Sequence, residues 1–185
     1  MNTAAPLLRL DLGNTHLHYG LVAPGGRNPA LAPAEIGHDR LAHAAGAAVL
    51  VGMPAIVIDC GTAVTFDIVT HAGGYEGEII APGPALIIRY LHERTAQLPL
   101  VTDLTSPVTT AIGNSIAEAM PIGAIPGYTG LIQTLLDAVL AALSTRGEPS
   151  TPVLASGSTA AIVHQRLRQP VQDLPDLTLR GLAAA

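Results

Sequence analysis

The sequence predicts an α/β protein in which strand hairpins alternate with helices. The first observation is an acidic strand-end motif that occurs twice, at residues 10–15 and 58–63. In each copy an apolar run ends in Asp, and Gly follows two places later. Each motif continues into a second strand pattern, at 16–22 and 64–70, which makes a hairpin with glycine in its turn. Helical spacing of apolar residues at 39–50 is the third observation.

The other elements follow from apolar spacing and from the positions of Gly and Pro. Pro84 is expected to open a helix, because the first helical position tolerates proline. Loops are expected at 23–34 and 147–152. The predicted strands are 7–13, 16–22, 55–60, 64–70, 75–81 and 153–155. The predicted helices are 39–50, 84–98, 114–145 with interruptions near Pro121 and Pro126, one that follows the turn at 156–158 and ends near Arg168, and 176–185.

Composition indicates a chain that packs a real core. Of 185 residues, 49% are hydrophobic and 12% charged, so the chain is one large domain or two small lobes. The net charge of −5 and the lack of a basic run argue against nucleic acid as a partner. Cys60 is the only cysteine, which excludes a disulfide framework. Without a signal-peptide pattern, and with apolar stretches interrupted before about 18 residues, a cytoplasmic protein without a membrane span is expected.

The chain contains no lysine, and the nine residues counted as Lys or Arg are all Arg. This excludes a P-loop and the protein-kinase strand lysine, because both need Lys on the nucleotide phosphates. Phosphate charge would have to be met by backbone amides, metal ions and Arg. The glycine in each hairpin lets backbone N–H groups approach a phosphate, and the Asp can hold a metal ion or its water.

Two such hairpins facing each other across a cleft form the phosphate grip of actin-like, sugar-kinase-like ATPases. The sequence therefore predicts a two-lobed actin-like ATPase (ribonuclease H-like) fold, with lobes at 1–52 and 53–185. Asp11 and Asp59 are only 48 positions apart. With strands of about 5–6 and helices of about 11–12 residues, a full lobe does not fit between them. A truncated first lobe is expected.

Seven segments in the right order resemble the type III pantothenate kinase family, and the resemblance covers nearly the whole chain. The segments are D-x-G-N-T at 11–15, G-x-D-R at 37–40, D-x-G-T-A-x-T-x-D at 59–67, a Gly-Ile-Pro-Gly segment at 77–83, T-A-x-L-P at 95–99, I-G-x-x-x-x-E-x-M at 112–120 and P-D-L-T-L-x-G-L at 175–182.

The resemblance implies ATP-dependent phosphorylation of pantothenate to 4'-phosphopantothenate, the first step of coenzyme A biosynthesis. It implies Mg²⁺ with the nucleotide, K⁺ or NH₄⁺ at Asp59, and Asp39 as the general base. It also implies a homodimer whose partner subunit completes each pantothenate pocket. The implied ATP-binding residues are Asp11, Leu12, Gly13, Asn14, Thr15, His16, Leu17, His18 and Thr62. The implied pantothenate-binding residues are Gly37, His38, Asp39, Arg40 and Ile116.

The chain departs from the family pattern mainly on the pantothenate side. The middle of the first lobe is missing, including a Tyr that the family uses on pantothenate. Ile116 stands where the family has a substrate-contacting Thr. A Gly-Gly pair becomes Gly77-Glu78, and a late Gly-Gly turn becomes Gly157-Ser158. Weak pantothenate recognition with ATP binding retained is therefore expected.

Other interpretations stay open. A non-catalytic relative could keep ATP binding and serve regulation or assembly, whereas a sugar or acetate kinase of the same fold lacks the matching segments. Asp39 and Arg40 could be only a helix start with an exposed ion pair. Glu76 and Glu78 are expected to share a solvated strand face. The apolar helix around 131–143 is interpreted as core or dimer contact.

Overall fold

The structure, a computed structural model, describes residues 7–12, 17–22, 36–104 and 106–183. For 7–12, 17–22 and His38 it describes the backbone alone. The strands are β1 Leu7–Leu12, β2 Leu17–Val22, β3 Ala55–Cys60, β4 Ala63–Thr70, β5 Gly74–Pro82, β6 Val153–Ser156 and β7 Val171–Asp173. The helices are α1 His38–Leu50, α2 Pro84–Arg94, α3 Ile116–Ile122, α4 Tyr128–Thr145, α5 Ala160–His164 and α6 Leu177–Ala183, with a π-helical turn at Gly123–Gly127.

The main sheet has five strands in the order β5-β4-β3-β6-β7. Strands β3, β4 and β5 form an antiparallel meander, while β6 runs parallel to β3 and β7 parallel to β6. The carboxyl ends of β3, β6 and β7 therefore meet at one edge. Asp59 lies at this edge, directly beside Ser156 of β6.

The two faces of β3 are covered by different helices, because successive strand residues point to opposite sides. Ile56 and Ile58 pack in the cluster that contains Ile132 and Leu136 of α4. Val57 packs with Ala47 of α1 and Leu177 of α6 in a second cluster. The sheet is thus sandwiched between α4 on one side and the α1–α6 pair on the other.

Helices α1 and α6 approach each other closely, because the facing residues are small. A methyl group at Gly46 would lie 2.9 Å from the Leu177 carbonyl oxygen, which explains why glycine stands there. Ala42, Ala44, Ala45 and Ala47 of α1 are all buried.

The first hairpin forms a separate antiparallel sheet, β1–β2, in which Asp11 lies opposite His18. Strand β2 contacts α1 and β5. The predicted α/β class is confirmed, since strand hairpins and helices build a mixed five-stranded sheet with helices on both faces. The truncation of the first lobe stays a prediction, because residues 13–16 and 23–35 lie outside the described part of the chain. The lobe boundary between residues 52 and 53 stays a prediction.

Several element limits differ from the predictions. Helix α2 ends at Arg94 instead of 98, because Thr95 turns extended and its hydroxyl donates to the Leu91 carbonyl. The helix predicted to reach Arg168 spans only Ala160–His164. The predicted interruption near Pro126 is a π-helical turn, which accommodates a residue that cannot donate to the carbonyl four places back. Strand β7 was not predicted.

One helix in the described part of the chain, Ile116–Thr145, is long and apolar enough by length and composition to cross a membrane. This differs from the expectation that every apolar stretch is too short. The finding has little weight, because core helices meet the same criterion, and Ile132 and Leu136 of this helix are fully buried against the sheet.

Candidate functional site

Three glycine-bearing turns meet at the carboxyl edge of β3 and β6. The turn between β3 and β4 contains Gly61 and Thr62, and Thr62 is exposed. Gly83, just before α2, donates its N–H to the Thr62 carbonyl at 2.9 Å. Gly157 follows β6 on the other side of Asp59. Turns of this kind leave backbone groups open to a ligand.

Gly157 is required by its position in this cluster. Its φ is +94°, and a Cβ there would lie 2.6 Å from the Cys60 carbonyl oxygen and 2.7 Å from Asp59 Oδ1. The Cys60 carbonyl already accepts two hydrogen bonds, from the backbone N–H and the hydroxyl of Thr159, both at 3.0 Å. The Asp59 carboxylate is therefore the anionic oxygen donor that this turn presents.

The oxygen donors around Asp59 fit a hard cation whose remaining ligands are water or phosphate oxygens. Hard cations bind carboxylate and carbonyl oxygens. Among the described residues no group of three or more His, Cys, Asp or Glu side chains could hold a metal ion. A single carboxylate suits K⁺ or NH₄⁺, or a Mg²⁺ that keeps water and phosphate ligands, better than an all-protein cage. The neighbouring Cys60 thiol is buried, which raises its pKa to about 12 and leaves it unreactive.

The first hairpin carries the other predicted phosphate contacts, and the structure covers them only partly. The backbones of Asp11 and Leu12 end β1, and Leu17 and His18 begin β2. Gly13, Asn14, Thr15 and His16 lie outside the described residues, as do the side chains of the other four. Their assignment to ATP stays a prediction.

The amino-terminal turn of α1 carries the predicted substrate-side residues. Gly37 is the N-cap, and Asp39 is an exposed carboxylate in the first turn, where the helix dipole favours negative charge. Asp39 folds back over the cap, since a Cβ on Gly37 would lie 2.5 Å from Asp39 Oδ1. The backbone of His38 begins the helix, while its side chain lies outside the described part.

The next residue, Arg40, is half-buried and forms an ion pair with Glu78 of β5. Register explains this contact: Asp67 lies opposite Val57 in β3 and opposite Glu78 in β5, so all three face α1. Burial opposes the charge on Arg40, but the hydrogen bond and charge of Glu78, with the charges of Asp67 and Asp39, raise the pKa of Arg40.

The expectation that Glu76 and Glu78 share a strand face is wrong. The register between β4 and β5 shifts at Ile68/Val69, so that Val69 pairs with Tyr75 while Ile68 pairs with Gly77. This bulge adds one residue to β5 and turns Glu76 away from Glu78. Glu76 instead pairs with Arg146, which caps the carboxyl end of α4.

A buried polar network continues from Glu78 into the protein, and sequence reasoning missed it. The Tyr75 hydroxyl lies 3.1 Å from Glu78 Oε2 and 3.0 Å from Asp67 Oδ1. His43 Nδ1 lies 3.5 Å from Asp67 Oδ2, and its Nε2 lies 2.6 Å from the Thr178 hydroxyl. The available signal was Asp67, the last Asp of the second motif, at an inward strand position.

The pKa of His43 responds both to Asp39, at the start of α1, and to Asp59, at the carboxyl edge of β3. His43 follows Asp39 by one helical turn in α1 and is 2% exposed. Burial alone would lower its pKa, but the ion pair with Asp67 and the charges of Asp59 and Asp39 raise the pKa of His43. The charges of Asp39 and Asp59 thus both act on the His43 imidazole.

Ile116 lies on a different element from these residues. It begins α3 and is 44% exposed. The neighbouring Ser115 caps α3 by accepting from the Glu118 N–H at 3.3 Å, and Glu118 accepts from the Asn114 N–H at 2.8 Å. This N-cap uses the only hydroxyl next to Ile116.

Comparisons with known proteins decide the family. The family profile described as type III pantothenate kinase matches residues 23–138. The chain belongs to this family. It is 42% identical over 152 residues to the type III pantothenate kinase of Methylacidiphilum infernorum, which covers 81% of this chain and 54% of that protein. It is also 42% identical over 153 residues to that of Akkermansia muciniphila, covering 83% and 61%.

This member of the type III pantothenate kinase family therefore spans little more than half the length of these relatives. A solved structure from Campylobacter jejuni, described as a Baf family transcriptional activator, covers 80% of this chain and 62% of its own with a TM-score of 0.54. At 17% identity that likeness supports the fold alone. The roles of Asp39, Arg40, Asp59, Thr62 and Ile116 within the family pattern stay predictions.

Proposed function

We propose that the chain phosphorylates pantothenate at the expense of ATP and forms 4'-phosphopantothenate, the first step of coenzyme A biosynthesis. The observation that carries the proposal is the glycine-bearing edge of the sheet, where Gly157 packs against the Asp59 carboxylate and Gly83 donates to the Thr62 carbonyl. Asp39 is a second carboxylate, exposed at the start of α1. Family membership supplies the reaction.

Phosphoryl transfer needs mainly positioning and charge compensation. In this proposal the ATP phosphates lie between the first hairpin, residues 11–18, and the turn at Thr62, where backbone N–H groups replace the missing lysine. Asp59 holds K⁺ or NH₄⁺, and Mg²⁺ accompanies the nucleotide. These cations compensate phosphate charge when bound. Asp39 accepts the proton of the pantothenate hydroxyl as the new P–O bond forms, which its exposure at a helix start permits.

The pantothenate side uses residues 37–40 and Ile116. Exposed apolar side chains on α2 and in the segment before α4 support a homodimer whose partner subunit completes this pocket. They include Leu86 at 38%, Tyr90 at 59%, Ile112 at 77% and Ile116 at 44% exposure. We place the dimer in the cytoplasm, without a nucleic-acid or membrane partner.

A coupled assay with ATP, pantothenate, Mg²⁺ and K⁺ tests the proposal, with Asp39→Asn as the decisive variant. A general base contributes about 10²–10⁴-fold in rate, so turnover should fall by that factor while ATP affinity stays unchanged. Asp137→Asn is the control, because Asp137 is a carboxylate on α4 that pairs with Arg168 away from α1. Full activity of Asp39→Asn would remove Asp39 from the mechanism.

A second candidate is a non-catalytic protein that binds ATP and serves regulation or assembly. The ion pair between Arg40 and Glu78 favours this candidate. Calorimetric ATP binding without phosphorylation at any pantothenate concentration would support it. Turnover that depends on Asp39 would exclude it.

A further inference from the structure

Glu78 pairs with Arg40, the residue that directly follows the proposed general base, Asp39. Arg40 follows Asp39 in the first turn of α1, and its guanidinium pairs with the Glu78 carboxylate. The side chains are 20% and 22% exposed, so the pair is shielded on most sides and still reachable from solvent. Screening by water and salt is weaker here than at an open surface.

The pair is built into the sheet and is not a chance surface contact. Glu78 lies directly opposite Asp67 across β4 and β5. Like charges in opposed positions repel, and the Arg40 guanidinium and the Tyr75 hydroxyl offset this repulsion. The Tyr75 hydroxyl also fixes Glu78 Oε2 at 3.1 Å. Arg40 is therefore needed to neutralise the opposed carboxylates of Glu78 and Asp67.

The local charge balance disfavours an incoming anion. Arg40 faces three carboxylates, those of Glu78, Asp67 and Asp39. His43 is the other titratable cation in the network, and it lies deeper, against Asp67. Glu78 binds one guanidinium nitrogen of Arg40, Nη1, so a ligand carboxylate that binds the remaining N–H groups adds a further negative charge beside Glu78 and Asp67. A neutral ligand avoids this repulsion.

We infer that Glu78 is a specificity-determining residue of the acceptor site: its charge beside Arg40 weakens the binding of acceptors that carry a carboxylate, relative to neutral acceptors of the same shape. This inference rests on the proposed function, because pantothenate is such a carboxylate. The inference gives a second cause of the weak pantothenate recognition that we expect. This cause is Glu78, a residue whose backbone and side chain are both described.

The test compares two ligands and three proteins by calorimetry. The ligands are pantothenate and its neutral alcohol analogue, in which CH₂OH replaces the carboxylate. The proteins are the parent chain, Glu78→Gln and the control Glu76→Gln. Gln keeps the size of Glu78 and an acceptor for Tyr75 while removing the charge. Glu76 lies two residues away on the same strand but pairs with Arg146 on the other side of the sheet.

Glu78→Gln should tighten pantothenate binding by about tenfold, which corresponds to ~1.4 kcal/mol. It should change the affinity of the alcohol analogue by less than about twofold, within the ~0.5 kcal/mol typical of a neutral surface change. Glu76→Gln should change neither. An unchanged pantothenate affinity in Glu78→Gln, or an equal gain for both ligands, overturns the inference.

The outcomes also separate this inference from the proposed function. Tighter pantothenate binding without phosphorylation supports the role of Glu78 and argues against the kinase. Phosphorylation of both ligands with no effect of Glu78→Gln supports the kinase and overturns the role of Glu78. If none of the three proteins binds either ligand, both proposals are wrong.

Discussion

His43 Nδ1 lies 3.5 Å from Asp67 Oδ2, and the two side chains are 3% and 0% exposed. The pair joins α1 to β4 at the centre of the polar network. Burial would by itself lower the pKa of His43, but the ion pair with Asp67 and the charges of neighbouring carboxylates raise it. The folded protein therefore holds the His43 proton more tightly than the unfolded chain does.

Stability should consequently fall as pH rises. The stabilisation by His43 is complete below its unfolded pKa, about 6.5, and is lost as pH passes the higher folded value. Urea unfolding at pH 6, 7, 8 and 9 measures this decline. His43→Gln should cost about 1–3 kcal/mol at pH 6 and flatten the profile. The exposed His71 supplies the control, His71→Gln, whose profile should match the parent. An unchanged slope in His43→Gln would contradict the prediction.

Gly157→Ala should lower both the stability of the fold and the affinity for ATP. Gly147→Ala is the control, because it causes backbone strain without a steric clash of the new Cβ. Both glycines have positive φ, +94° and +87°. A Cβ at Gly147 meets nothing within 4 Å, whereas at Gly157 it meets the Cys60 carbonyl and Asp59. Backbone strain costs about 1–3 kcal/mol in each variant. Thermal unfolding should show a larger loss for Gly157→Ala, and calorimetry should show weaker ATP binding there alone. Equal losses in both variants would argue against a tight turn at Asp59.

Turnover should rise with K⁺ or ammonium, and Asp59→Asn should abolish that rise. The reason is that Asp59 presents the anionic oxygen at the glycine-bearing edge, and an amide binds a hard cation less strongly. Initial rates across K⁺ concentrations, with choline keeping the ionic strength constant, measure the effect. A flat response in the parent chain would assign Asp59 to Mg²⁺ or to structure.

The chain should be a homodimer, with a mass twice its 18.9 kDa in light scattering. Ile112, 77% exposed, precedes the long helical region that we propose as the interface. Ile112→Glu should therefore weaken the dimer, because it places a charge in an apolar contact. Leu179→Glu is the matched control, since Leu179 is 69% exposed on α6. A monomer mass for the parent would refute the dimer.

The sequence predicts the sheet well because its strands carry strong local signals. Strand β3 was predicted with its observed limits, and β4 and β5 within a residue, because apolar runs lie between glycine-bearing turns. The three residues of β7 carry no such pattern, being Val, Gln and Asp, and they join the sheet only through pairing with β6. No local signal could have predicted that strand.

For the candidate site, the residues were predictable and their partners were not. Motif spacing pointed to Asp39, Arg40 and Asp59. The ion pair of Arg40 with Glu78 joins residues 38 positions apart, and a bulge in β5 places Tyr75 on the same face as Glu78. The network through His43 depends on the packing of α1 against the sheet. Such contacts arise from tertiary structure and produce no periodic pattern of residues in the sequence.

The packing of α6 on α1 has a consequence for how the protein is made. The hydrogen bond between His43 and Thr178 joins residues 135 positions apart. A ribosome therefore releases α1, with Asp39 and Arg40 on it, long before the helix that covers its alanine-rich face has been synthesised. Contacts so distant in sequence form late in folding. In the nascent chain this face of α1 therefore stays without its α6 cover until translation reaches α6.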